Sequence, residues 1–362
     1  VNILVAKSNY KEISKQIKNF KPNLFIIKDL KTLYKIKKNN KNSSTKFFND
    51  YSDIPFKYKK NDIVVSAISG IAGLGPTIIF IKNTKKILLA NKEAIICGWD
   101  LISKAASKNN TKIISIDSEH FSIKNLVDKY KNEEIEKIYI TASGGPFLKL
   151  NKNLFKNIKP QQAIKHPKWK MGKKISIDSA TLMNKVFEIL EAQKIFPFSS
   201  DKYEIIIHPE SLVHAIVRFK NGIVKFLYHQ PNMIIPIANA LFNFQVNITD
   251  LIQQKNKPEI KNLNFLSVDV NKFPVIKLLP KLNRFPSSPI IINAANEILI
   301  DQFLKNKIKF NSISDYLGLV LKNKNYQKYA IQKPSNLNKI YVIDRWARNI
   351  VLDIIGKRTK KK

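Results

Sequence analysis

"DIVVSAISGIAGLGPT" (62–77) decides the fold. A run of β-branched residues gives way to small polar residues and glycines, and Pro76 then sits where a helix's first turn tolerates it. That is a strand passing through a tight turn into a helix. The same alternation recurs on either side. Apolar runs stand at "VNILVA" (1–6), "NLFIIKD" (23–29), "KKILLA" (85–90), "TKIISI" (111–116) and "EKIYITA" (136–142), with helix-like segments between them. Strand–helix alternation of this kind predicts a mostly parallel α/β sheet. Each run ends in polar, small or charged residues: "KSN", "SGIAGLGPT", "NKE", "DSEH" and "SGGPF". In an open α/β sheet this is the edge that binds ligands.

The pattern changes beyond residue 150. "HPKWKMGKKISIDSATLMNKVFEILEAQKIF" (166–196) reads as a loop, a short strand and a helix, and residues 203–229 as two strands around "KNG" with a further piece before them. Residues 31–60 read as a Lys/Asn-rich surface loop. From about 270 the text is helical. No internal repeat is evident.

The chain has 362 residues, 44% of them hydrophobic, so it is globular, with room for two or three domains. No apolar stretch approaches the roughly 18 residues of a membrane span. The single cysteine, Cys97, excludes an internal disulfide and fits a reducing compartment. A net charge of +36 invites a nucleic-acid reading. Its lysines are dispersed and travel with Asn and Ile, as in "KKNNKNSSTK" (37–46), so no shaped basic groove is expected.

Four segments carry chemistry. If "IDSEH" (116–120) continues a strand, Asp117 and Glu119 point the same way and repel each other unless a cation lies between them. Mg²⁺ or Mn²⁺ with oxygen ligands answers that; two solvated acids beyond the strand's end is the other reading. In "SIDSATLMNKVFEILEA" (176–192) Ser179 stands where a helix N-cap belongs, and Asn184, Lys185 and Glu188 share the helix face that follows. This would suit an anion and a metal, or would be an ordinary Lys–Glu pair. "AKSN" (6–9) lacks the acid that reads a ribose 2′-hydroxyl; Lys7, Ser8 and Asn9 would suit a 2′-phosphate, hence NADP. His166, in the loop "KHPKWKMGKK", belongs to a possible lid. No compact zinc pattern and no nucleophile elbow is present.

Taken in order, "GIAGLGPT", "LLANKE", "DSEH", "SGGPF", "HPKWKMGKKISIDSATLMNK", "IHPESLVHAIV", "PIA" and "NAANE" resemble the 1-deoxy-D-xylulose 5-phosphate reductoisomerase family over nearly the whole chain. The resemblance implies a Rossmann-like NADPH domain (1–116), an α+β catalytic and dimerisation domain (117–242), a linker (243–268) and a small C-terminal helical bundle (269–362). It implies a cytoplasmic homodimer acting on a sugar phosphate, with NADPH and Mg²⁺, Mn²⁺ or Co²⁺, and no membrane or specific nucleic-acid partner. Asp117, Glu119 and Glu188 would hold the metal. Lys92, Glu119 and His166 would be catalytic. Ser118, Ser143, Trp169, Ser179, Asn184 and Lys185 would grip substrate alongside them. Asn91, Glu93, Met171 and Gly172 would join Lys7, Ser8 and Asn9 at the cofactor.

Three departures stand out. The family opens with a strand and a "GSTGSIG"-like loop, whereas "VNILVA" matches its second strand, so roughly 30 residues are expected ahead of Val1. A shortened sequence is one explanation and a decayed enzyme the other. Lys7 stands at a usual glycine. Asn232 and Ile234 in "QPNMIIPIA" (230–238) replace an acid and an arginine.

Overall fold

A computed structural model describes residues 1–52, 54, 61–169, 171–252 and 262–359. In chain order the first part runs β1 (Ile3–Ala6), α1 (Tyr10–Phe20), β2 (Leu24–Ile27), α2 (Leu30–Asn39), β3 (Lys46–Phe48), β4 (Asn61–Ser66), α3 (Leu74–Ile81), β5 (Thr84–Leu89), α4 (Lys92–Lys108) and β6 (Lys112–Ser115). Every pairing here is parallel, in two three-stranded sheets ordered β1-β2-β3 and β4-β5-β6. Among the described residues no strand pairs with the outer edge of β1 or of β4. The fully buried run of β2 (Leu24, Phe25, Ile26 and Ile27) shows why its text does not alternate: both faces are covered.

Two expectations fail here. Residues 31–60 are not simply a loop. Leu33 and Ile36 are buried on one face of α2, Asp29 caps that helix by accepting from the Thr32 N–H at 2.8 Å, and β3 follows; residues 53 and 55–60 lie outside the described part. Lysines on the solvent face masked the helical period. The run 136–142 does not join the parallel halves either, but enters a separate mixed sheet.

The part of the chain that holds that sheet runs α5 (Ser118–Val127), β7 (Ile135–Ala142), α6 (Pro160–Ala163), α7 (Lys173–Thr181), α8 (Met183–Ile195), β8 (Tyr203–Ile207), β9 (Val213–Phe219), β10 (Val224–Tyr228), α9 (Ile234–Phe242) and β11 (Leu266–Ser267). Its order is β10-β9-β7-β8-β11, with β7 and β8 parallel and the other pairs antiparallel. Helices α5 and α8 pack on it through Ile123, Leu126 and Ile189. Asn232 accepts from the Ile234 N–H at 2.9 Å and so fixes the start of α9, while Ile234 is exposed.

The chain closes with α10 (Leu279–Leu282), α11 (Ser288–Leu304), α12 (Ser312–Leu321), α13 (Tyr326–Ala330) and α14 (Leu337–Thr359). Helix α11 is buried almost all round, as its lack of an apolar stripe requires. Its core is continuous with that of α4, α7 and α8, so these helices and the helical bundle form one packed body.

Candidate active site

The acids of "DSEH" are not on a strand. Strand β6 ends at Ser115, and Asp117 is the N-cap of α5, accepting from the Glu119 N–H at 3.1 Å. Glu119 lies in the helix's first turn, where carboxylates are favoured by the helix dipole. They do not face one way by strand alternation. They converge because one caps the helix that the other opens, and they are shielded rather than solvated.

Ser179 is likewise not a cap. Residues 173–181 form helix α7, capped at Gly172, and no strand is present at 174–178. The alternating "KISID" imitates a strand, but its Ser176, Ile177 and Asp178 are all buried, as one face of a packed helix allows. Leu182, at φ 64°, breaks the chain into α8. This kink leaves Asn184, Lys185 and Glu188 buried on the first turns of α8.

The two segments meet. Oxygens of Asp117, Glu119 and Glu188 all lie within 4.8 Å of one another. The Lys185 Nζ donates to Glu119 and to Glu188, the latter at 2.7 Å. The Lys92 Nζ, at the start of α4, donates to Asn184 Oδ1 at 2.7 Å and to Glu188 Oε1 at 3.1 Å, and lies 3.5 Å from Asp117. The Asn184 amide donates to Glu188, and the Ser118 hydroxyl to Glu119 at 2.5 Å.

Electrostatics follow from this crowding. Burial pushes the Glu119 carboxyl up, and Glu188 pushes it further, to about 8. Burial alone would raise Asp117 too, but the Lys92 ammonium outweighs it and holds this carboxyl well below the usual range. Burial would lower Lys92, yet Glu188 and Asp117 raise it, so it stays an ammonium. The donor set of three hard carboxylate oxygens, one left with a raised affinity for positive charge, fits a divalent cation such as Mg²⁺ or Mn²⁺.

A neighbouring group was not singled out from sequence. His120 Nε2 bonds the Glu188 backbone oxygen at 2.9 Å, and its Nδ1 lies 3.3 Å from Asp117 and 3.6 Å from Glu191. Burial would lower its pKa, but Glu191 and Asp117 raise it to about 9. Glu191 lies three residues beyond Glu188, and that helical period was the available signal.

Ser143 and His166, expected to grip phosphate, also meet. Ser143 Oγ lies 3.1 Å from His166 Nε2 and accepts from the Gly145 N–H at 3.1 Å. A Cβ at Gly145 would stand 3.0 Å from the Ser179 backbone oxygen, so this turn abuts α7. His166 Nδ1 accepts from the N–H groups of Lys168 and Trp169, which ties this segment into a local turn. Burial, then the Lys185 ammonium, lowers His166 to about 4 and keeps it neutral. Trp169 meets His214 edge-on at 6.2 Å, and His214 stacks on His229 at 3.9 Å.

Of the expected cofactor residues, Asn91 and Glu93 flank Lys92 at the start of α4. Lys7, Ser8 and Asn9 are exposed beyond the carboxyl end of β1, and Asn9 caps α1. Asn91 caps α4 and donates to the Gly70 oxygen at 2.9 Å, holding the glycine turn after β4. The Glu93 carboxylate is taken up by Lys174 at 2.7 Å. Met171 is half-buried, and the space around an added Gly172 Cβ is open, leaving room for a ligand.

Comparison with known proteins agrees over the length of the chain. Family models described as 1-deoxy-D-xylulose 5-phosphate reductoisomerase match residues 1–98, and as its C-terminal domains residues 113–196 and 229–350. The 1-deoxy-D-xylulose 5-phosphate reductoisomerase of Pelagibacter ubique is 45% identical over 94% of this chain and 88% of its own length. That of Thermodesulfovibrio yellowstonii is 36% identical over 98% and 92%. A crystal structure of DOX-P reductoisomerase with NADPH, fosmidomycin and magnesium superposes with a TM-score of 0.90 at 30% identity, covering 98% of this chain and 91% of that one. The Zymomonas mobilis enzyme in complex with NADPH gives 0.83 at 29% identity, over 98% and 91%.

Proposed function

The chain belongs to the 1-deoxy-D-xylulose 5-phosphate reductoisomerase family, and from that premise we propose how its side chains divide the work of the reaction. The chain is an NADP-dependent oxidoreductase that rearranges 1-deoxy-D-xylulose 5-phosphate and reduces the product to 2-C-methyl-D-erythritol 4-phosphate, with NADPH and a divalent metal as cofactors.

Asp117, Glu119 and Glu188 hold the metal, and their mutual approach within 4.8 Å is the observation that carries this assignment. When bound, the ion supplies a Lewis acid that polarises a carbonyl oxygen. The charges of Glu188 and Asp117 favour the ammonium form of Lys92, which suits it to donating to oxygens of the reacting sugar. Lys185, Asn184, Ser179, Ser143 and neutral His166 bind the substrate's phosphate and hydroxyls. Anchoring the phosphate orients the reacting carbons. Trp169 and Met171 cover the site and exclude water. Lys7, Ser8 and Asn9 bind the adenosine end of NADPH, where an exposed lysine suits a 2′-phosphate, and Asn91, Glu93 and Gly172 lie toward its other end.

We keep the domain limits read from sequence, with the NADPH domain ending at Ile116. A homodimer is supported by Val224 and Phe226, which alternate onto one exposed face of β10. A cytoplasmic location is supported by the single, buried Cys97.

The test is NADPH consumption. Oxidation should require 1-deoxy-D-xylulose 5-phosphate, stop with EDTA and return with Mg²⁺ or Mn²⁺. No oxidation by the full-length protein with metal and both substrates present would refute the assignment.

A further inference from the structure

Four polar side chains outside the acid cluster form a continuous chain through three helices, buried except at Lys174, whose side chain is 29% exposed. Lys174, in the first turn of α7, donates to Glu93 Oε1 at 2.7 Å and to Asp178 Oδ2 at 3.1 Å. The other Asp178 oxygen accepts from the Asn296 amide of α11 at 2.6 Å. The side chains of Glu93 and Asp178 are 10% and 3% exposed, and Asn296 is fully buried. One residue on, Glu297 accepts from Arg348, which also holds Asp344, so α11 is tied to α14 in turn. None of these groups touches Asp117, Glu119 or Glu188.

We propose that Lys174 and Asn296 are positioning residues: the Glu93–Lys174–Asp178–Asn296 chain clamps the first turn of α4, and with it Lys92, against α7 and the C-terminal helical bundle. This rests on the reading that Lys92 and α8 form the active site.

The geometry explains why a clamp is needed there. Lys92 and Glu93 are adjacent, so the first turn of α4 is gripped on one side by Glu188 and Asn184 and on the other by Lys174. Asp178 precedes Ser179, and Gly172 caps the helix that Lys174 opens. A single ammonium therefore fixes Lys92, the serine expected to meet phosphate and the far anchor of the lid. Removing it leaves two shielded carboxylates facing each other without a cation, which pushes α4 and α7 apart. Asn296 and Glu297 of "NAANE" gain a purpose as well. Asn296 holds α7 and Glu297 holds α14, so the helical bundle acts as a buttress for the catalytic helices.

The experiment compares wild type with Lys174→Met, Lys174→Arg and Asn296→Ser in the intact protein. It measures kcat, KM for both substrates, Tm, the NADPH dissociation constant by fluorescence, and hydrogen exchange of peptides 91–97 and 166–176. Lys174→Met should lower kcat at least tenfold and speed exchange in both peptides, with exchange in β7–β10 unchanged and NADPH affinity reduced far less than kcat, a small loss following from the place of Glu93 toward the cofactor. Lys174→Arg should recover most of the loss, and Asn296→Ser should show a smaller version of the same pattern. Unchanged kcat and local exchange would overturn the proposal. So would a loss that Lys174→Arg does not relieve, or a tenfold loss of NADPH affinity with kcat preserved, which would make the pair a cofactor contact. An inactive wild type would count against the functional reading instead, and the exchange data would still decide for or against the clamp.

Discussion

The carboxylates of Glu119 and Glu188, one opening α5 and the other on α8, meet at a single ammonium, that of Lys185. That lysine is buried like its partners, and both acids outweigh the burial that would otherwise lower its pKa. It is thus a fixed positive charge at the edge of a negative cluster, a suitable place for an anionic group of a substrate whose other end meets a metal.

Replacing that charge should act on substrate, not on cofactor. A hydrogen bond to a charged group contributes about 1.5–3 kcal/mol, so Lys185→Ala should raise KM for 1-deoxy-D-xylulose 5-phosphate roughly 10- to 100-fold. KM for NADPH should hold. Steady-state kinetics in both substrates check this, and the opposite split would show that Lys185 is misassigned.

Glu188→Gln should abolish turnover without harming the fold. The like charges at Glu119 and Glu188 repel, but Glu188 is also the leading charge partner of the buried Lys92 ammonium and a partner of Lys185, so the two effects oppose each other. The chain should stay folded, with a Tm only modestly changed from wild type. A large fall in Tm would mean that Glu188 serves structure.

Gly145 has φ 66°, and its Cβ position lies against the α7 backbone. Gly145→Ala must therefore both strain the turn, at about 1–3 kcal/mol, and push Ser143 away from Ser179. Lower Tm together with weaker binding of phosphate-bearing ligands is expected. A stability loss alone would separate Ser143 from the phosphate grip.

His166 gives a pH signature. Its folded pKa lies near 4, below the unfolded value of 6.5, so the folded state binds fewer protons in that window. By linkage its contribution to stability is complete above about pH 6.5 and is lost as pH falls toward 4. NMR titration of the imidazole should place its midpoint near 4 in the free protein, and a bound phosphate group should move it upward. A midpoint of 6.5 that phosphate does not move would remove His166 from the site.

The apolar runs were legible because strands covered on both faces need no alternation, and five of the six became strands of the expected kind. "EKIYITA" also became one, but which sheet it joins depends on pairing with β8 and β9, and a single run carries no such information. The acid pair was visible, but its geometry was misread. Aspartate before a run whose first turn holds Glu119 is an N-cap signal, and that signal competed with the β-branched text ahead of it. "KISID" misled in the same way, because a helix packed on several sides shows neither period clearly. The meeting of residues 117–119 with 184–188 rests on family resemblance in the sequence and on packing in the structure. The clamp through Asn296 joins segments more than a hundred residues apart, and nothing local announces it.

The most direct measurement is Mn²⁺ binding to the protein, followed by electron paramagnetic resonance without substrate. One site per chain is expected in the wild type, with affinity reduced at least tenfold in each of Asp117→Asn, Glu119→Gln and Glu188→Gln and unchanged in Lys174→Arg. Wild-type affinity in all three acid variants would contradict the account, because the ion would then be held elsewhere or not at all.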